Sequence, residues 1–79
     1  MLNSDKSFKD LIAILEKVHS GIDYYTQEDL WEKAIFDSLE LMSLISLIEK
    51  DIGFTFSEAE LVPDTFYSAK TIWEVITRK

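Results

Sequence analysis

Apolar residues recur at helical spacing in three stretches of the chain and lose that period between them. Phe8, Leu11, Ile12, Leu15 and Val18 form the first stripe, with Asn3, Ser4 and Asp5 before it as caps and Gly21 after it as a stop. From Ile22 to Ala34 the chain reads IDYYTQEDLWEKA, without a clean period. This is a long loop pinned to the core by its apolar members Leu30, Trp31 and, just beyond, Ile35. A second helix is predicted from Asp37 or the next residue to near Asp51, with Gly53 beyond its end. After it, Phe54 and Phe56 alternate, Ser57 and Glu60 stand at capping-box spacing, and Pro63 follows; a short helical turn is expected between Ser57 and Tyr67. Ser68 caps a last helix whose Ala69, Ile72, Trp73 and Ile76 share a face, with Arg78 and Lys79 suited to its C-terminal end.

The expected fold is therefore all-α, three main helices plus one short one, in a single domain spanning residues 1–79. Only two Gly and one Pro accompany 47% hydrophobic residues, which fits a folded chain rather than a disordered one. Acidic residues outnumber basic ones by 15 to 8, giving a formal charge of -7. That field repels phosphates and no basic stripe interrupts it, so nucleic acid is excluded as a partner and a basic protein surface is the natural complement. Cysteine is absent, which removes disulfides and thiolate metal sites. The start MLNSDKSFKD has no apolar segment of signal-peptide type, and every apolar run is far shorter than a membrane span. The reading is a soluble, cytoplasmic monomer.

In the second helix, Leu41, Leu44, Ile45, Ile48 and Ile52 fall in one apolar sector, while Ser38, Ser46, Glu49 and Lys50 fall opposite. Leu39 and Met42 project into the polar side beside Ser38, where a monomer gains nothing by burying them. Isolated surface apolar residues are common and by themselves ask for no explanation. Asp37 and Ser38 likewise have a plain reading as helix caps, whose side-chain oxygens accept hydrogen bonds from free backbone N–H groups.

The segment DLWEKAIFDSLELMSLISLIEKDIGFTF, Asp29 to Phe56, resembles the acyl carrier and peptidyl carrier proteins, in which a loop feeds an Asp-Ser-Leu triplet at the start of the second helix. The resemblance continues through SEAELVPDTFYSAKTIWEVI, which looks like the family's short third helix and capped fourth. It implies an acyl-carrier-like four-helix bundle in which Ser38 matches the attachment serine. In that family a phosphopantetheinyl transferase moves phosphopantetheine from coenzyme A onto this hydroxyl, and the terminal thiol of the arm carries acyl or aminoacyl groups as thioesters. A chain without cysteine can thus present thioesters without being an enzyme. Asp37 and Glu40 beside the serine, and Glu49 and Asp51 at the far end of the helix, would attract basic surfaces on the loading ligases, synthases and transferases. Leu39 and Met42 would supply the apolar centre of that contact. On this reading Glu40→Lys or Met42→Glu impairs partner reactions without unfolding the chain.

Two positions depart from the family pattern. Ala34 stands where a Gly is frequent before the Asp-Ser pair, and Ser43 where many fatty-acid carriers have an acidic residue. The second departure, with the FDSLELMSL run, leans towards a specialised or aminoacyl pathway; fatty acyl, polyketide, aminoacyl and D-alanyl cargoes all remain open. The competing reading is an unmodified acidic helical interaction module in which Ser38 is a cap only. Metal or nucleophilic catalysis finds no support: His19 is the only histidine and reads as a surface residue, no calcium loop or phosphate-cradling glycine loop occurs, and Ser38 has no recognisable base. Tyr24, Tyr25, Trp31, Phe66, Tyr67 and Trp73 are scattered and read as core or loop packing.

Overall fold

The computed structural model describes residues 7–33 and 35–78. They form three α-helices, α1 (Phe8–Val18), α2 (Ser38–Leu47) and α3 (Ala69–Arg78), and no strand occurs among them. Asn3, Ser4, Asp5, Ala34 and Lys79, to which the sequence assigned caps, a loop departure and a helix end, lie outside the described residues.

Each helix starts where a short polar side chain meets the first free N–H groups. Ser7 caps α1, its N–H donating to Asp10 Oδ2 at 2.7 Å. Ser68 caps α3 as expected, its Oγ accepting from the Thr71 N–H at 3.2 Å. The Ser57 N–H donates to Glu60 Oε1 at 2.8 Å, and the turn this box closes is a single 3-10 turn over Glu58–Glu60. At the end of α2 the backbone does not stop at Leu47 but widens into one π turn, Ile48–Ile52, closed by the Gly53 N–H on the Ile48 carbonyl at 3.1 Å. Gly53 then takes a φ of 85°, a left-handed conformation that a residue with Cβ adopts only at a cost.

α1 packs against both α2 and α3, and the buried side chains join into one cluster. α1 contributes Leu11, Ile12, Ile14 and Leu15; α2 and its π turn contribute Leu44, Ile48 and Ile52; α3 contributes Ala69, Ile72 and Ile76. The predicted apolar sector of α2 is thus the core face, with Leu41 and Ile45 half-buried at its edges, and on α3 the expected Trp73 is likewise half-buried.

The loop between α1 and α2 is held at two of the three expected points and at one the sequence did not indicate. Leu30 is buried and Ile35 half-buried, as expected, but Trp31 is 38% exposed and is not a core anchor. Tyr24 takes that place: its ring is buried and stacks on Phe36, and its hydroxyl donates to the His19 carbonyl at the end of α1. Burial first, then the charges of Glu40 and Glu16, push the Tyr24 phenol from 10.0 up to about 12. Because the folded chain holds this proton more tightly than the unfolded one, the associated stability is fully present below pH 10 and is lost as the pH rises through about 12. Urea unfolding of the wild type below and above pH 10 should show that loss. In Tyr24→Phe the alkaline slope should flatten, with a cost of about 1 kcal/mol at neutral pH for the missing hydrogen bond.

Candidate functional site

Asp37, not Ser38, is the cap of α2. Its Oδ1 accepts from the Glu40 N–H at 2.8 Å, and Glu40 Oε1 accepts from the Asp37 N–H at 3.2 Å, a reciprocal box around the first turn. Ser38 is consequently the first residue of the helix proper. Its side chain is exposed and its hydroxyl takes part in no hydrogen bond with the described residues. The Leu41 N–H bonds the Asp37 carbonyl at 2.9 Å, so the backbone N–H groups of Ser38 and Leu39 are those left without an intrahelical partner.

Glu40 does more than close the cap. His19 Nδ1 lies 3.1 Å from Glu40 Oε2 and 3.3 Å from Oε1, tying the end of α1 to the first turn of α2. A carboxylate only accepts, so Nδ1 carries the hydrogen. The histidine ring also meets the edge of Phe36, with ring centres 6.0 Å apart. Glu40, expected as a free docking charge, is therefore committed to two contacts within the chain, and His19, expected as a lone surface residue, is its partner. Glu40→Lys would remove the cap partner and place a cation against His19, so its effect could not be separated from the fold.

The other expected contact residues divide between two places. Leu39 and Met42 are 76% and 66% exposed and, with Ser43, Ser46 and Leu47, line one open concavity on the outer side of α2. Glu49 is exposed on the π turn. Asp51 lines a different groove, shared with Asp10, Ala13, Ile14 and Lys17, so it stands on a surface formed with α1.

On the inner side of Ser38 the structure contains a cavity of about 190 Å³ that the sequence did not disclose. Leu30, Trp31 and Phe36 come from the loop, Leu41 from α2, and Phe66 and Ile72 from the far end of the chain; Asp37 and Ser38 complete the lining. A backbone bond from the Leu30 N–H to the Tyr67 carbonyl, 3.0 Å, holds the loop against the segment before α3. Asp29, with a φ of 57°, makes the turn into it. Trp31 and Phe66 thereby meet with ring centres 5.8 Å apart. Two of the aromatic residues that look scattered along the chain share a wall beside the serine.

Among the described residues no group of three His, Asp or Glu could hold a metal ion, and no helix is long and apolar enough to cross a membrane. Compared with protein-family models, with curated proteins and with solved structures, the chain matches none.

Proposed function

We propose that the chain is a carrier protein whose Ser38 bears a phosphopantetheine arm and presents acyl or aminoacyl groups to partner enzymes. One observation supports this above the others: the hydroxyl of Ser38 makes no hydrogen bond with the described residues at the start of α2, where the neighbouring Asp37 does the capping. The alternative, an interaction module in which Ser38 serves only as a cap, loses its reason for a serine at that position. The all-helical fold is compatible with an acyl-carrier-like four-helix bundle, the Glu58–Glu60 turn standing for the short helix.

The residues around Ser38 fit a phosphodiester. The unpartnered N–H groups of Ser38 and Leu39 and the positive end of the α2 dipole face an incoming anion. Two carboxylates stand nearby and would oppose it, but both are occupied: Asp37 accepts from the Glu40 N–H, and Glu40 accepts from the Asp37 N–H and from His19. When bound, the arm supplies the thiol that the cysteine-free chain lacks, and with it thioester chemistry. The chain's own part is presentation. Leu39 and Met42 form the apolar centre of a small docking face in an acidic field, an arrangement suited to weak, fast contacts with basic partners.

The test is the intact mass of the purified chain after incubation with coenzyme A and a broad-specificity phosphopantetheinyl transferase. A gain of one phosphopantetheinyl group is the expected result; no gain on a folded sample moves the unmodified interaction module to first place. Met42→Glu should then leave the thermal midpoint unchanged, since the side chain is mostly exposed, and slow partner-dependent loading and transfer. Comparison of loading rates for Met42→Glu and wild type at equal arm occupancy checks this.

A further inference from the structure

His19 is tied through both of its backbone polar groups as well as through its ring. Its N–H donates to the Leu15 carbonyl at 2.9 Å, its carbonyl accepts from the Tyr24 hydroxyl, and its Nδ1 meets both carboxylate oxygens of Glu40. The same ring lies edge-on to Phe36, which in turn stacks on Tyr24. Phe36 stands two residues before Ser38 and Glu40 two residues after it, so one histidine at the end of α1 grips the chain on both sides of the serine. We infer that His19 is a positioning residue for the modification of Ser38: through Glu40 it sets the rotation of the first turn of α2 and thereby the direction of the hydroxyl. The inference rests on the carrier reading and gives a part in the loading step to a residue outside the Asp-Ser-Leu triplet.

The lever is helical geometry. Side chains two apart on a helix leave on nearly opposite sides, so a Glu40 held against α1 turns Ser38 outward. The cap alone does not do this. Its box between Asp37 and Glu40 closes within one turn and moves with that turn, whereas the bond to His19 refers the turn to another helix. Without that bond the Glu40 side chain regains rotamers, and a first turn whose Ser38 and Leu39 N–H groups have no intrahelical partner frays more readily. Loading is sensitive to such fraying because the Ser38 oxygen must approach the pantetheine-side phosphorus of coenzyme A in line. The oxygen–phosphorus bond forms, the pyrophosphate bond breaks, adenosine bisphosphate leaves, and the hydroxyl proton passes to a base on the transferase. Misplacing the nucleophile of such a displacement by about 1 Å lowers its rate by up to about a hundredfold. Stability is the lesser effect, since the two side chains of the bridge are 37% and 30% exposed.

The experiment follows transferase-catalysed loading of the wild type, His19→Ala and His19→Asn, the last keeping an N–H donor near the position of Nδ1. Amide hydrogen exchange of Asp37 and Glu40 in the same chains without the arm gives a readout independent of loading. In His19→Ala the thermal midpoint is expected to fall by no more than about 5 °C. Its kcat for loading should drop about tenfold with the KM for the chain unchanged, and the two amides should exchange about tenfold faster. His19→Asn should restore both the rate and the exchange to within about twofold of the wild type. A bridge that only staples α1 to α2 would lower the midpoint and leave kcat of the folded chain as in the wild type, and that result overturns the inference. So does a loss of rate that His19→Asn does not restore, or one carried by KM, which would place His19 in the docking face; each leaves the carrier reading standing. A wild type that accepts no arm removes the carrier reading and the loading role with it, and faster exchange in His19→Ala would then mark the histidine as a staple of the cap alone.

Discussion

Ser38→Ala should gain no phosphopantetheinyl mass under conditions that convert the wild type, and its stability should stay within about 0.5 kcal/mol of the wild type. Both halves of this result follow from the division of labour at the start of α2. The only hydroxyl at the position that the family resemblance marks is lost, so loading should vanish rather than slow. Nothing structural is lost with it, because the Ser38 side chain is exposed and makes no hydrogen bond with the described residues. Alanine is also a better helix former than serine. The neighbouring position should behave in the opposite way: Asp37→Ala removes the oxygen that accepts from the Glu40 N–H and should cost about 1 kcal/mol. Intact mass and urea unfolding of the two variants separate the attachment role from the capping role. A Ser38→Ala chain that still gains the mass would move the modification elsewhere; one that unfolds would return the serine to a structural role.

The parts of this arrangement that were legible in the sequence are the local ones. The Ser57–Glu60 box and the Ser68 cap span three residues each, so spacing alone exposes them, and the core faces of α2 and α3 follow from helical periodicity. The choice between Asp37 and Ser38 as cap was not legible, because both are good capping residues and the choice depends on where the loop hands its dihedral angles to the helix. The bridge between His19 and Glu40 joins residues 21 apart, set by how the end of α1 packs against α2. The cavity needs the backbone bond between Leu30 and Tyr67 before Trp31 and Phe66 can face each other. Trp31 reads as an anchor because it is large and apolar, yet Tyr24 is buried in its place, its polar end satisfied by the His19 carbonyl. In each case the missing information is tertiary.

The dependence of the Ser38 turn on that tertiary core can be measured on α2 itself with two leucines that differ in burial and not in chemistry. Leu44 is fully buried between α2 and the rest of the core, whereas Leu39 is 76% exposed on the other side of the same helix. Leu44→Ala should cost about 2 to 5 kcal/mol, the transfer of the side chain plus the cavity it leaves. For 79 residues the whole folding free energy is on the order of 4 to 12 kcal/mol, so this one truncation should remove a large share of it. Leu39→Ala should change stability by no more than about 0.5 kcal/mol. Urea unfolding followed by far-ultraviolet circular dichroism checks the pair, and equal costs for the two would place Leu44 outside the core. The same variants then divide function in reverse. Below its unfolding midpoint Leu44→Ala should still accept the arm on Ser38, since the Asp37–Glu40 box holds that turn locally and the bridge between His19 and Glu40 persists while the chain is folded. Leu39→Ala should instead keep its fold and lose partner-dependent transfer, because what it removes belongs to the proposed docking face and not to the scaffold beneath it.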